Sequence, residues 1–551
     1  MEKTLPKLTM DIFFNQILEE YGENPALALV GQEPISYKEF GEKVLQLRSL
    51  LAQHNVEKGD KIVLLGDNTP NWCVAFMATT GSGAVVVPIL HEFPEPDINH
   101  IINHSEAIGM VIEDKFYHSM ELKAVDNLDF VLSLDSFGVL SGDSTNRTKK
   151  KPKTASSPEI EEDDLAEILY TSGTTGHSKG VMLSHRNIVS NALSGPEAIG
   201  GIARKSIILN LLPLAHAYGS TTSFLGGISE GALLVFIDKK PSPKVLMDAL
   251  QKVRPNIVAG VPLIFEKIFH KRVLPELTQR KALRLVSKFN MGRKFLYKKI
   301  GKRVLQSFGG RLYSFLIGGA SINREVEIFL REGNIPYAIG YGLSECSPLV
   351  CGDYYTKLKL GSVGRPVEKV QVRIDRPDPK TKVGEICVKG PSVMVGYYKN
   401  PQETKKVFTE DGWLRTGDLG YLDDDGFLFI KGRIKNVYVG PSGENIYPEI
   451  VEDRLRESMY VEEALVFLEG ERLVARVYLD YDYIQTVLNA QKHTIQPEEI
   501  EEILEQVRRE VNSKLSAFSQ IRKIFEQPEP FVKTPTNKIK RLLYVPDYVK
   551  K

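Results

Sequence analysis

The segment ILYTSGTTGHSKGVMLSH, residues 168–185, constrains this chain more than any other. An apolar strand-like run enters a stretch of two Ser, three Thr, three Gly and one Lys, and apolar residues resume after it. Glycines let backbone amides converge on an anion, hydroxyls add donors, and Lys179 brings a positive charge suited to phosphate. A flexible Ser/Thr/Gly linker shares this composition, but a linker does not sit between two apolar strand-like runs. The pattern is not GxxxxGK[ST], because Ser178 stands where glycine is required before the lysine. GHSKG, residues 176–180, does match GxSxG, the nucleophile elbow of serine hydrolases. That elbow needs a strand running into its first glycine and a helix after its last, whereas strand-like VMLSH follows here. Ser178 as an acyl nucleophile is therefore the competing reading from a different functional class.

The flanking sequence predicts an α/β frame. Residues 38–54 have apolar positions at three- and four-residue spacing and are followed by the short run KIVLLG, residues 61–66. The alternation returns at NWCVAFMATTGSG then AVVVPI, and at PKVLMDALQKVRP then NIVAGVP. Residues 141–164 are polar and aperiodic and read as an exposed loop. From about 361, short strands separated by Gly, Pro and Asp predict a β-rich subdomain, with Asp425-Gly426 at a hairpin turn. Helices are expected at PEIVEDRLRESM, with Pro448 in the first turn, and at 497–515. With 551 residues, the chain spans about three or four domain equivalents. The fold class expected is α/β: a large multi-subdomain body of α/β layers plus a β-rich subdomain, then a small α+β domain.

Composition excludes several alternatives. Charged residues at 26% and hydrophobic residues at 42% are those of a soluble globular protein, not of a fibre, a disordered chain or a polytopic membrane protein. A net charge of +1 offers no global attraction to nucleic acid, and no nucleic-acid partner is expected. The uncharged stretches 68–90 and 207–229 carry too much Gly, Pro, Ser and Thr for lipid-facing helices and are expected to be buried. Four cysteines without a CxxC pair, and a start lacking an apolar run, point to a cytoplasmic location. One region breaks the balance: residues 271–303 hold twelve Lys or Arg and one acid, Glu276, among apolar residues at helical spacing. Such a stretch either docks on an anionic membrane surface, here the inner one, or packs its apolar face on the body of the protein.

YTSGTTGHSKGVMLSH resembles the phosphate-binding signature of the adenylate-forming superfamily: acyl-CoA and aryl-CoA ligases, peptide-synthetase adenylation domains and beetle luciferases. Further segments in the family's order carry the resemblance along the chain: LPLAHAYG (212–219), GGAS (318–321), GYGLSE (340–345), WLRTGD (413–418), KGRIKN (431–436), GENIYP (443–448) and TPTNKIK (534–540).

The resemblance implies roles. Thr171, Ser172, Gly173, Thr174, Thr175, Gly176 and Lys179 would cradle ATP phosphates, and Gly319, Ala320 and Gly342 would line the nucleotide site. Tyr341 would stack on the adenine, and Ser344, where Thr is more usual, would reach the α-phosphate. Glu345, with Thr174, would hold Mg2+. Asp418 would accept the ribose hydroxyls, and Arg433 would contact ribose or phosphate. Lys538 would enter the site during adenylation, with Lys540 as the alternative; Asn537 stands where the family commonly has glycine. His216 would approach the substrate carboxylate, or serve as a core histidine bonded to backbone. Gly443 would border a pantetheine tunnel. The implied domains are 1–434, binding AMP, and a mobile 435–551, hinged at Lys435. The implied cofactors and substrates are ATP, Mg2+, CoA and a carboxylic acid.

The basic segment and VPLIFEKI (261–268) are most like those of long-chain fatty acyl-CoA ligases, with Gly219, Gly226, Gly227 and Ala320 leaving room for an apolar channel. Transfer to acyl carrier protein instead of CoA, aryl-CoA ligation, and a non-catalytic nucleotide-binding module remain alternatives. Cys346, beside Glu345, is expected to line a pocket and not to act as a nucleophile.

Overall fold

The computed structural model describes residues 5–142, 159–171, 178–239, 242–269, 273, 286, 289–439, 445–470, 472–488, 495–534 and 538–545. Among them an eight-stranded sheet runs in the order Gly396–Tyr397, Lys179–Ser184, Leu165–Thr171, Val85–Ile89, Lys61–Leu65, Gly109–Ile112, Phe130–Ser133, Val139–Ser141. Its middle strands are parallel, and the pair 165–171 with 179–184 is antiparallel. A nine-stranded sheet runs Arg365–Pro366, Leu349–Tyr354, Ala338–Gly342, Ser314–Ile317, Ile257–Gly260, Ile207–Asn210, Leu233–Phe236, Pro25–Leu29, Ile35–Ser36, again parallel through its middle.

Parallel strands covered on both faces are apolar at every position, because successive side chains enter opposite cores. In the second sheet Ile208, Leu234, Ile257 and Leu316 belong to the core shared with the first sheet. Their neighbours Leu209, Val235, Val258 and Phe315 point into a second core with Phe265, Phe308, Phe329 and Tyr337. The predicted helices form for local reasons. Tyr37–Gln53 starts at a capping box in which the Ser36 hydroxyl accepts from the Glu39 N–H at 3.2 Å and the Glu39 carboxylate accepts from the Ser36 N–H at 2.7 Å. Phe40, Val44, Leu47 and Leu51 then bury one face.

The two uncharged stretches are buried, as expected. Helix Pro70–Gly81 is capped by Thr69 and enclosed from Trp72 to Gly81, so it is apolar all round because it has core on all sides. Residues 207–229 fold as a strand, a π-helical segment Tyr218–Leu225 and a helical turn Gly226–Ser229. Among the described residues no helix is long and apolar enough to cross a membrane.

The β-rich region is a four-stranded antiparallel sheet in the order Gln371–Asp375, Gly384–Lys389, Leu414–Leu422, Leu428–Arg433, with Gly426 at φ +79° in the predicted hairpin. After the turn Ile434–Asn436, a separate core from Ile446 to Ile524 packs around strands Val461–Glu469, Arg472–Leu479 and Lys523–Glu526 and helices Pro448–Arg456 and Pro497–Asn512. The α/β body with its β-rich sheet and the small α+β part are thus both present. The polar loop at 141–164 lies largely outside the described residues.

Candidate active site

Strands Leu165–Thr171 and Lys179–Ser184 pair antiparallel, Thr171 opposite Lys179, and the polar segment joins their ends in sequence. Ser172, Gly173, Thr174, Thr175 and Gly176 belong to that segment and lie outside the described residues. A strand, not a helix, follows GHSKG, which removes the elbow geometry that Ser178 would need as a nucleophile.

Lys179 opens the return strand, and its ammonium is held from two sides. Nζ donates to Glu403 Oε2 at 2.7 Å and lies 5.1 Å from the centre of the Tyr397 ring. Both partners come from GYYKNPQETKKV. Tyr397 pairs with Val181 along the edge of the first sheet, and helix Pro401–Val407 begins where the Asn400 side chain caps the Glu403 N–H at 3.1 Å. Lys179, with Lys406 behind it, holds the Glu403 carboxyl well below the usual carboxylate range.

Tyr397 links this lysine to a second candidate. Its hydroxyl donates to Glu345 Oε1 at 2.8 Å, and the Glu345 carbonyl accepts from the Met394 N–H at 2.9 Å. Ser344 begins the same tight turn, Ser344–Cys346, and is buried. Just before it, Gly342 cannot be replaced without conflict: a Cβ there would lie 2.0 Å from the Pro348 carbonyl oxygen. Among the described residues no group of three or more His, Cys, Asp or Glu could hold a metal ion. A single carboxylate, Glu345, suits Mg2+, which keeps several waters and is usually bound through one or two carboxylates plus substrate phosphates.

Asp418 and Arg433 face each other directly across the hairpin of the β-rich sheet, and Arg433 Nε forms an ion pair with Asp418 Oδ1 at 3.0 Å. Oδ2 accepts from the Tyr341 hydroxyl at 2.8 Å. Burial, then the Asp418 charge, pushes the Tyr341 phenol far above its ordinary pKa, so it stays a donor. Each Asp418 oxygen keeps a further lone pair, enough to accept from a diol.

Lys538 comes from the last part of the chain, on a turn where its N–H donates to Thr534 Oγ1 at 3.2 Å and its carbonyl accepts from the Thr534 N–H at 2.8 Å. The residue is solvent-accessible, yet protein crowds around its ammonium. That crowding lowers its pKa, Arg433 lowers it further, and Asp418 and Glu345 act the opposite way. Burial, with the Lys538 charge adding to it, brings the pKa of His216 down to about 4, so the imidazole is neutral at pH 7. Its Nδ1 accepts from the Tyr218 N–H at 3.2 Å, which leaves Nε2–H as the donor. Lys540 is engaged through its backbone N–H with the Val532 carbonyl at 2.9 Å and is exposed.

Gly319, at φ +83°, and Ala320 follow strand Ser314–Ile317 on an exposed loop; Gly318 before them lets the Tyr218 ring approach, since a Cβ there would lie 2.9 Å from it. Gly443 lies outside the described residues. Two of the glycines expected to leave room for a channel, Gly219 and Gly227, need a correction. A Cβ at Gly219 would stand 2.0 Å from the Pro213 carbonyl oxygen and one at Gly227 3.0 Å from Ile208, so their missing side chains serve close packing. Cys346 is buried with its thiol pKa raised well above normal, which keeps it a thiol and not a thiolate nucleophile. Tyr397 and Glu403 were not singled out from the sequence. Their signal, an Asn-Pro helix start after a Tyr pair, marks an element boundary and says nothing of a partner 224 residues away.

Comparison with known proteins places the chain. A family model described as AMP-binding enzyme matches residues 14–398. Fatty acyl-CoA synthetase A of Dictyostelium discoideum is 28% identical over 92% of this chain and 83% of its own length. A chloroplastic long-chain-fatty-acid–[acyl-carrier-protein] ligase of Arabidopsis thaliana is 27% identical over 96% of this chain and 84% of its own. Among solved structures, O-succinylbenzoate coenzyme A synthetase from Bacillus subtilis, in complex with ATP and magnesium ion, has the same fold: TM-score 0.73, 23% identity, 98% of this chain and 99% of that one. With the match running from the first helix through the polar segment after Thr171 to the strand that carries Tyr397, the chain belongs to the AMP-binding enzyme family.

Proposed function

We propose that the protein is an acid–thiol ligase that activates a long-chain fatty acid with ATP and passes the acyl group to CoA. The observation that carries this reading is the set of contacts joining these segments: Tyr397 lies against Lys179 and donates to Glu345, and Asp418 pairs with Arg433 and accepts from Tyr341, with the Lys538 ammonium close enough to feel the charges of Arg433, Asp418 and Glu345.

A carboxylate is a poor acyl donor because its leaving group would be oxide. One carboxylate oxygen therefore attacks the α-phosphorus of ATP, the bond to the bridging oxygen breaks, and pyrophosphate leaves with that electron pair. Asp418 accepts from the ribose diol, Tyr341 packs beside the adenine, and Lys179 and Lys538 spread the charge that develops on the phosphates. Mg2+ held by Glu345 and the phosphates would neutralise part of that charge. The neutral His216 donates through Nε2–H to the acid's carboxylate. The acyl-AMP formed is a mixed anhydride; the thiol sulfur attacks its carbonyl, the C–O bond to AMP breaks, and the thiol proton goes to solvent. No covalent enzyme intermediate is required.

The two half-reactions ask for different groups near the same phosphate. This supports a mobile domain, 435–551, turning about Lys435 against the AMP-binding body, 1–434, with Lys538 presented for adenylation and the turn around Gly443 for the acceptor. A second reading, transfer to acyl carrier protein, is supported by the Arabidopsis relative's activity. A pyrophosphate-release assay over acids of graded chain length and an aryl acid, with CoA or carrier protein as acceptor, tests both. Release that rises with chain length and turns over only with CoA is expected. No release with any acid would overturn the ligase reading.

A further inference from the structure

Helix Asn290–Ser307 is mounted on the body by one face and leaves the opposite face uncovered. Leu296, Tyr297, Ile300 and Val304 are buried. The Tyr297 ring meets Phe329 edge-on with centroids 5.2 Å apart, and Arg293 forks onto Glu332 at 2.9 and 2.8 Å. Gly301 lies so close to Gly333 that a Cβ would stand 2.2 Å from its carbonyl oxygen. Packing therefore fixes the rotation of this helix about its axis.

At about 100° per residue, the outward face carries Met291, Phe295, Lys298, Lys299 and Lys302. Three large apolar side chains at its N-terminal end are bare: Phe289, just before the helix, Met291 and Phe295 are 66%, 86% and 68% exposed. The next turns are cationic. No acid occurs in the helix, and Lys294, Lys298, Lys299 and Lys302 form no ion pair among the described residues. Three large apolar side chains left in water beside unneutralised cations gain nothing from folding, and their burial waits on a partner.

We propose that this face docks on an anionic phospholipid bilayer. Phe289, Met291 and Phe295 enter the boundary between headgroups and acyl chains, and the four lysines meet lipid phosphates. Charge complementarity selects this occupant. A second copy of the chain would bring the same cations against themselves, and a nucleic acid would leave the apolar cluster in water. The docking does not depend on which acid the protein activates.

The test is sedimentation of the full chain with vesicles of phosphatidylcholine alone and of phosphatidylcholine containing about one third phosphatidylglycerol, at low and high salt. Two triple variants accompany it, Lys298→Glu/Lys299→Glu/Lys302→Glu and Phe289→Ser/Met291→Ser/Phe295→Ser, each checked by circular dichroism and melting temperature. Expected are binding to anionic vesicles only, weakened by salt, and a drop of about tenfold or more in partition coefficient for each variant. The proposal is overturned by equal binding to both vesicle types, by no binding, or by variants that fold and bind as before. It is also overturned by self-association of the wild-type chain that the serine variant abolishes, which would make the face an interface between copies.

Discussion

Lys179 Nζ lies 2.7 Å from Glu403 Oε2, a partly buried ion pair that ties the start of strand Lys179–Ser184 to a short helix 224 residues later. Any phosphate oxygen bound by Lys179 must sit near that carboxylate, and like charges at such range repel. Glu403→Gln removes the anion and keeps the shape. Pyrophosphate should then inhibit the forward reaction about 3- to 10-fold more strongly, read as its inhibition constant in ATP–pyrophosphate exchange. Unchanged or weaker inhibition would mean that the carboxylate serves only to aim the lysine.

Lys538→Ala separates the half-reactions. Formation of acyl-AMP should fall by about 10²- to 10³-fold, the scale of losing one charge-stabilising group. Thioester formation from supplied acyl-AMP should stay within about threefold of wild type, because that step has no use for Lys538 in the site. Equal loss of both would count against the assignment, and Lys540→Ala serves as the neighbouring control.

Asp418→Asn breaks the link between the β-rich sheet and Tyr341. Charge-assisted hydrogen bonds are worth about 1.5–3 kcal/mol, so the KM for ATP should rise about tenfold or more. Tyr341→Phe loses one bond and should cost less, about two- to fivefold. An ATP titration of the two variants checks the order, and an Asn variant that binds ATP like wild type would remove Asp418 from the nucleotide site.

Glu167 lies on the strand that leads into the polar segment, fully buried, with neither carboxyl oxygen hydrogen-bonded among the described residues. Burial alone raises its pKa to about 8, whereas an unfolded glutamate titrates near ~4.3. Between those values the folded chain holds a proton that the unfolded chain has lost, so stability is full below the lower value and falls as pH rises toward and past the upper one. Glu167→Gln removes this dependence. Thermal unfolding from pH 5 to 9 should show a shallower decline for the variant and a gain of ~1–3 kcal/mol at pH 8. Parallel curves would show that the carboxylate gains a partner as it ionises.

Much of the frame was legible in the sequence because its causes are local. Apolar spacing placed helix Tyr37–Gln53, an unbroken apolar run placed strand Lys61–Leu65, and Asp425-Gly426 placed the hairpin turn. Glycine was the weaker guide: Gly219 and Gly227, read as space for a substrate, are filled by neighbouring chain. A missing side chain signals close approach of something, and composition does not say whether that is ligand or protein.

The sequence by itself determined the polar segment with its lysine, the α/β alternation around it, and the order of the segments that the site draws on. Only the tertiary structure decided who meets whom. Tyr397 reaches both Lys179 and Glu345 because a two-residue strand adds to the edge of the first sheet in one register. Asp418 meets Arg433 because the hairpin sets them opposite. Helix Asn290–Ser307 shows its lysines, Met291 and Phe295 to solvent because Gly301 and Tyr297 fix its rotation. Local preference acts over a few residues, whereas these contacts join positions brought together only when sheet register and core packing close long loops.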